Sequence, residues 1–345
     1  MDKKEDGTPP TTQGLQCFSF MKSIACSGFP CLLHFMKGRY ASIMLDVSDV
    51  TSNGKTYNGN TRKFGITMDG VDYIIKFPKG EDMSVYCEYI ASRFIQALGI
   101  NCHTVRLALY KNIVVDMIQD FTSGTNLTLH SFKDTKQSSE DTDLNYKEYT
   151  YDDVLYLIDK HLKMSSINKV LAKQQFWDMF ICDAIIGNRD RHWGNWGYLS
   201  NGLEYSFAPL YDNGAGLFPN VNLVIDQYMD AKYRYQFLYD RVFVFPASLF
   251  KIRKPDRSYR SNYAEMFSNL SINNLFAERV NVIKNNFNYF RVFDLISKIV
   301  SDVPLALEYR RFYIEIVLLR FLCIIVRMEF DKAYSEVERM LANYV

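Results

Sequence analysis

Three oxygen-bearing side chains lie close together near the middle of the chain. Asp190 and Asn195 fall within Gly187-Asn188-Arg189-Asp190-Arg191-His192-Trp193-Gly194-Asn195-Trp196, and Asp212 comes soon after in Leu210-Tyr211-Asp212-Asn213-Gly214. An acid, an amide oxygen and a second acid, on loops that leave packed elements, can position a hydroxyl group and a metal-bound triphosphate. In that chemistry Asp190 orients the hydroxyl and Asn195 lends its amide oxygen to Mg²⁺. Asp212 is the main metal ligand, since Mg²⁺ takes hard oxygens and few protein carboxylates. Taken singly, each of the three reads as a turn or helix-end residue; the combination carries the reading. His192 reads as structural, because a general base there would leave Asp190 without a task. Arg191 reads either as a carboxylate partner or as a phosphate contact. Trp193 and Trp196 read as packing residues.

The same chemistry needs a cation for the phosphates and a cradle around them. Val85, Glu88, Ala91, Ile95 and Leu98 share one stripe at helical spacing. Glu88 is thus a carboxylate on an apolar face, where an unpaired charge is costly. Lys76, at the end of the preceding strand, is its nearest candidate partner, with Lys79 competing from beyond Pro78. Gly54, Gly59 and Asn60 lie in a loop between the first strands, where backbone N–H groups can approach phosphates without Cβ clashes. That signal is weak alone, because Gly and Asn also mark ordinary turns.

The elements that must hold these residues can be read from the pattern. A first strand is expected over Tyr40–Val47, then a flexible loop over Thr51–Arg62. Strands at Lys63–Met68 and Val71–Phe77 join at the hairpin turn Asp69-Gly70. A helix over Val85–Leu98 stops at Gly99, and Val105–Tyr110 pairs with Ile113–Ile118 about Lys111-Asn112. From Ser123 to Asp153 the composition turns polar. Beyond it, Lys173–Ile186 is a dense apolar helix. A hairpin around Asn201-Gly202 places Asp212 just past a strand. Residues 215–245 read as aromatic and loop-rich, and 263–345 as helices, with Phe312–Met328 in the core. The expectation is an α+β chain of two lobes: a small β-rich N-lobe over 36–121 and a mostly helical C-lobe over 122–345.

The totals narrow the class. In 345 residues, 48% are apolar, with 24 Tyr and 25 Phe, enough for a sizeable core. A net charge of +1 gives no field pointing to nucleic acid or an anionic membrane, and no nucleic acid partner is expected. Seven scattered cysteines show neither zinc spacing nor a disulfide framework, which fits a reducing compartment. Residues 1–16 are polar and read as disordered. Residues 17–36 are too interrupted for a membrane span and lack the core of a signal peptide. We place 1–35 outside the fold, a membrane-associating segment being the alternative.

Three segments bear a resemblance. Phe176-Trp177-Asp178-Met179-Phe180, the Gly187–Gly197 stretch and Ala208-Pro209-Leu210-Tyr211-Asp212-Asn213-Gly214 look like HipA-like kinases, in particular the bacterial cell-translocating CtkA type. Tyr73-Ile74-Ile75-Lys76-Phe77-Pro78 and Glu88-Tyr89-Ile90-Ala91 are similar too. The resemblance runs over roughly 40–345. It implies a two-lobed protein-kinase-like fold with ATP and Mg²⁺ between the lobes, and Ser/Thr protein kinase activity with autophosphorylation. Carried over by position, Asp190 is the catalytic aspartate and Asn195 and Asp212 hold the metal. Lys76 is the ATP-phosphate lysine and Glu88 its ion-pair partner. Gly59, Asn60 and Thr61 cover the nucleotide, and adenine sits against the linker at Met117 and Gln119. The resemblance also implies a bacterial cytoplasmic location, with delivery to a host cell left open because no export signal is visible. The acceptor and the oligomeric state are left open.

There are departures. The loop Tyr57–Lys63 matches the family only loosely; Thr61 is its one hydroxyl between Gly59 and Gly65, hence the expected autophosphorylation site. No Ala-Pro-Glu signature comes after Asp212, and the basic residues flank Asp190 instead of forming a His-Arg-Asp order. Two other functions compete. A phosphoinositide or small-molecule kinase would share this core, but 215–240 carry only Lys232 and Arg234 among three aspartates, too few for a multiply charged headgroup. A non-catalytic ATP-binding pseudokinase is disfavoured by the complete Lys, Glu, Asp, Asn, Asp set.

Overall fold

The computed structural model describes residues 44–59, 61–137, 150–161, 163–253, 257–270, 273–342 and 344. The chain divides into two units, 1–45 and 46–345, and the second holds both lobes. The extension expected over 1–35, the start of the expected strand Tyr40–Val47, and Asn60 lie outside the described residues.

The sheet lobe begins at a short edge strand, β1 (Leu45–Asp46), which straddles that division. β2 (Lys63–Met68) and β3 (Val71–Lys76) form an antiparallel hairpin. Asp69 and Gly70 at its tip have φ of 51° and 76°, the paired positive values for which Asp-Gly is suited. After α1 (Ser84–Ala97), β4 (Val105–Tyr110) and β5 (Ile113–Gln119) make a second hairpin, and the sheet order is β1-β4-β5-β3-β2. Side chains alternate across it. Ile66, Ile75, Ala108, Val115 and Met117 turn to one face and bury with Val47 and Phe77. The other face carries Lys76 and receives α1, whose Glu88 is fully buried.

The loop before β2 is not the free segment its composition suggests. Asn53 N–H donates to Gly65 O at 2.9 Å, Lys55 pairs with Asp72 at 2.6 Å, and the Tyr57 hydroxyl donates to Asp120 at 3.0 Å. Its polar side chains find carboxylates on β3 and beyond β5, which composition cannot reveal. Gly65 is required by this docking, since a Cβ there would lie 2.4 Å from Asn53 Oδ1.

The helical lobe opens with β6 (Thr128–Ser131) and α2 (Phe132–Gln137), with α3 (Tyr151–Lys160) and α4 (Ser166–Ile186) next. α3 starts on a reciprocal cap between Thr150 and Asp153. In α4, every residue from Phe176 to Ile186 is buried, so this helix is the lobe's axis. β7 (Gly197–Ser200) and β8 (Tyr205–Phe207) form the expected hairpin, and β6, from the polar stretch, adds a third strand. The region expected to be loop-rich contains α5 (Ile225–Met229) and α6 (Ala231–Phe243). There Phe237, Leu238 and Val242 make the buried stripe, while Tyr233, Tyr235 and Tyr239 are exposed. Aromatics on both sides obscured the helical period.

A hairpin of β9 (Ala247–Arg253) and β10 (Ser258–Asn262) precedes α7 (Tyr263–Leu270), α8 (Asn274–Asn286), α9 (Tyr289–Ser301) and α10 (Leu307–Arg320). A π-helical turn (Phe321–Val326) leads to α11 (Phe330–Leu341). From Phe312 to Arg320 every side chain of α10 is buried, which makes it a core helix on all sides. Among the described residues no helix is long and apolar enough to cross a membrane.

Candidate active site

Lys76, Glu88 and Asp212 meet at the junction of the two lobes. The Lys76 ammonium lies 3.0 Å from Glu88 Oε2 and 2.6 Å from Asp212 Oδ1. Burial disfavours the charge on Lys76, but the two carboxylates outweigh it and hold the ammonium above its ordinary range. Burial likewise opposes ionisation of Glu88; Lys76, His103 and the Asn213 N–H overcome it and keep the carboxylate well below its usual value. His103 Nε2 is 3.0 Å from Glu88 Oε1. Asn213 N–H donates to Glu88 Oε1 at 2.7 Å and Gly214 N–H to Oε2 at 3.0 Å. One helix carboxylate therefore holds both the lysine and the backbone after Asp212. Gly214 permits this approach, since a Cβ would lie 3.0 Å from Ser84 O and 3.1 Å from Glu88 Oε2. Asp212 itself sits at φ 57°, a left-handed conformation uncommon outside glycine and tolerated best by Asn and Asp.

The loop of Asp190 begins where α4 ends. Gly187 closes the helix in the left-handed conformation, φ 63°. Arg191, 1% exposed, then braces both loops. Its Nε and Nη2 donate to Asp183 at 2.9 Å each, its Nη1 to Asn195 O and Tyr211 O at 2.8 and 2.5 Å, and its Nη2 to Asn213 Oδ1 at 2.5 Å. Of the two roles left open for Arg191, the structure gives it the carboxylate partner. Asn188 Nδ2 also donates to Asp183, at 3.0 Å, and Tyr263 caps Asn188 O at 2.7 Å. The Asn195 amide donates to Asp190 O at 2.8 Å, which leaves its Oδ1 as the remaining polar atom. The Asp190 carboxylate is exposed and has no hydrogen-bond partner among the described residues. His192 accepts from Gly194 N–H at 3.0 Å through Nδ1, inside the loop. Trp196 is buried, stacking on Phe132 and Phe207.

The donor set fits a hard divalent cation. Arg191 Nη1 grips the carbonyls of Asn195 and Tyr211 together. The backbones of the two loops that carry Asn195 and Asp212 are thereby tied together. Among the described residues no three His, Cys, Asp or Glu side chains could form a cage. One carboxylate with one amide oxygen is the sparse set Mg²⁺ accepts when substrate phosphates complete its shell.

The remaining expected residues are placed less directly. Gly59 has φ 111°, and Lys63 Nζ lies 2.7 Å from where its Cβ would be. Thr61 is half-buried. Met117 turns its side chain into the apolar cluster on the face opposite Lys76. Gln119 is exposed, and its N–H donates to Thr104 O at 2.9 Å, while Asp120 N–H donates to Asp72 O at 2.9 Å. Neither N–H is free to meet a base.

Several participants were not singled out from sequence. Asp183 lies inside the apolar run Phe180–Ile186, and Asp116 inside Val114–Ile118. Both carry the signal that marks Glu88, a carboxylate where only apolar side chains belong. Lys63 stands opposite Lys76 in the β2–β3 register, so the two lysines share a face. Burial and Lys76 lower its ammonium, against Asp212 and Glu88. His103 gave no periodic signal.

Residues 55–266 match the model of the HipA-like C-terminal domain. The serine/threonine-protein kinase CtkA of Helicobacter pylori (strain J99) is 33% identical over 221 residues, which cover 61% of this chain and 65% of that protein. The match thus spans just under two thirds of that relative's length. The crystal structure of a Helicobacter pylori proinflammatory kinase CtkA superposes with a TM-score of 0.71 at 26% identity, covering 86% of this chain and 99% of the other. HipA of Shewanella oneidensis MR-1, solved with HipB and operator DNA, gives 0.51 at 16% identity over 87% of this chain and 72% of its own. The second likeness speaks for the fold alone. Together with the observed layout, these matches make the fold the two-lobed, kinase-like one.

Proposed function

The chain belongs to the HipA-like C-terminal domain family, and from that premise we propose that it is a Ser/Thr protein kinase using ATP. The observation that carries this reading is the convergence of Lys76, Glu88 and Asp212, from β3, α1 and the loop after β8, within 3.0 Å contacts. A half-buried lysine between two carboxylates, with an exposed aspartate on the neighbouring loop, suits phosphoryl transfer.

In this reading Lys76 exchanges Asp212 for the ATP phosphates, and Glu88 keeps the ammonium aimed while it does so. Asp212 and the Asn195 amide oxygen would hold Mg²⁺, which neutralises phosphate charge when bound. Arg191 fixes those two loops relative to each other. Asp190 accepts a hydrogen bond from the acceptor hydroxyl. As the hydroxyl oxygen bonds to the γ-phosphorus, the bond from that phosphorus to the β–γ bridging oxygen breaks and ADP departs. The hydroxyl proton passes to Asp190. Autophosphorylation at Thr61, in the loop beside the cleft, belongs to the same proposal.

Purified protein incubated with labelled ATP and Mg²⁺ should label itself or a generic protein acceptor. Asp190→Ala, Asp212→Ala and Lys76→Ala should each abolish the label while circular dichroism stays unchanged. Undiminished transfer in these variants would refute the assignment. Label reaching phosphoinositide vesicles and never protein would replace the acceptor class.

A further inference from the structure

A third carboxyl group lies on the same sheet face as the Lys76 ammonium and its two carboxylate partners, without bonding to it. Glu88 and Asp212 bond Lys76. The third is Asp116, which stands directly opposite Lys76 in the β3–β5 register. Opposed residues share a face with their Cβ atoms about 5 Å apart. Its neighbours Val115 and Met117 point the other way, into the apolar cluster. Asp116 is 1% exposed, and neither of its oxygens has a hydrogen-bond partner among the described residues. The charged and titratable groups near it are Lys76 on β3, Tyr86, Cys87 and Glu88 on α1, and Asp212 on its loop.

A buried carboxyl without a partner destabilises the fold, and an apolar side chain would do better there. A residue that breaks a local rule beside a reaction centre marks function. Burial, with Glu88 and Asp212 nearby, pushes the Asp116 carboxyl well above its usual range, against the pull of Lys76. An ammonium has three N–H donors. Lys76 uses one on Glu88 and one on Asp212 and has no further partner among the described residues. An unused donor and an unused acceptor therefore stand side by side on adjacent strands.

We infer that Asp116 is a positioning residue for Lys76, an inference that rests on the nucleotide-site reading above. When Asp212 releases the lysine, the ammonium is held between Glu88 and Asp116, and its remaining N–H faces the triphosphate. With Asp116 absent, the lysine hangs from Glu88 alone and swings.

The test uses the full chain and four variants. Asp116→Leu and Asp116→Ala remove the acceptor, Asp116→Asn keeps an acceptor oxygen, and Lys76→Met is the control. Binding of a non-hydrolysable ATP analogue with Mg²⁺ is measured by calorimetry, KM for ATP and kcat by label transfer, and unfolding by thermal melts. Asp116→Leu should melt no lower than the parent, yet lose about ten-fold or more in analogue affinity, the worth of one charge-assisted hydrogen bond. KM should rise more than kcat falls. Asp116→Ala should show the same binding loss where leucine fails to fold, and Asp116→Asn should stay within about three-fold of the parent. Parent-like binding in the Leu or Ala variant overturns the inference, and so does Asn as impaired as Ala. If Lys76→Met binds and transfers normally, the nucleotide-site reading itself fails; if only Lys76→Met is impaired, that reading stands and the role of Asp116 falls.

Discussion

Arg191→Met removes the guanidinium that ties the loop of Asp190 to the loop of Asp212. The side chain is 1% exposed and donates to the Asp183 carboxylate, to two backbone carbonyls and to the Asn213 amide oxygen. Without it, Asp183, also 1% exposed, keeps only the Asn188 amide. Stranding one half of a buried ion pair destabilises by about 3–5 kcal/mol. The orphaned carbonyls push the value toward the upper end, since each unsatisfied group adds roughly 1 kcal/mol. A domain holds about 5–15 kcal/mol in all, so the variant should fold marginally. Arg191→Lys keeps the charge and loses the fork, and should cost about half as much. The double variant Arg191→Met/Asp183→Leu removes both charges and should regain much of the stability. Its loops remain untied, so phosphotransfer should stay low. Urea unfolding midpoints beside label-transfer rates on the same preparations decide the matter. A single variant within about 1 kcal/mol of the parent, or a double variant with full transfer, refutes the bracing role.

Three further outcomes are expected from the geometry. Gly197→Ala would place a Cβ 2.1 Å from His130 O and 2.8 Å from Ser131 Cα, so β7 must part from β6. A loss of about 1–3 kcal/mol, read from unfolding curves, is expected, and an unshifted midpoint contradicts it. Burial pushes the Glu315 carboxyl up to about 7, against Arg234 and Tyr228. Because the folded value lies above the ordinary 4.5, its contribution is complete below pH 4.5 and is lost as pH rises through 7. Stability relative to Glu315→Gln should therefore fall by about 3 kcal/mol across that window; parallel melting curves for the two proteins would speak against it. Tyr57→Phe removes the hydroxyl bonded to Asp120. Amide exchange across 51–59 should quicken by roughly 1 kcal/mol of protection, unless Lys55 and Asn53 alone dock the loop, in which case no change is seen.

Charge in the wrong place was the most legible signal in the sequence. Glu88 stood out because helical spacing set it among Val85, Ala91 and Ile95, and the strand pattern put Lys76 within reach. Asp183 and Asp116 carry the same signal, one inside a helix pattern and the other inside a strand pattern. The hairpins at Asp69-Gly70 and Asn201-Gly202 were local and therefore readable. What escaped depends on contacts distant in sequence. β6 pairs with β7 across about seventy residues, with Thr128 opposite Ser200, from within a stretch whose polarity suggests a loop. Tyr57 reaches Asp120, and His103 reaches Glu88, through folding that no local period encodes. α6 was hidden because tyrosines on its exposed side mask the buried stripe of Phe237, Leu238 and Val242.

The Glu88 carboxylate has a mechanical consequence. Its two oxygens face Lys76, His103 and the backbone N–H groups of Asn213 and Gly214 at once. An outward swing of α1 cannot loosen the lysine while sparing the loop of Asp212, because both are fastened to the same group. Removing the helix would free two backbone donors in a single event and leave Lys76 with Asp212 alone. The position of α1 is therefore tied to the lysine and to the loop of Asp212 through one and the same group.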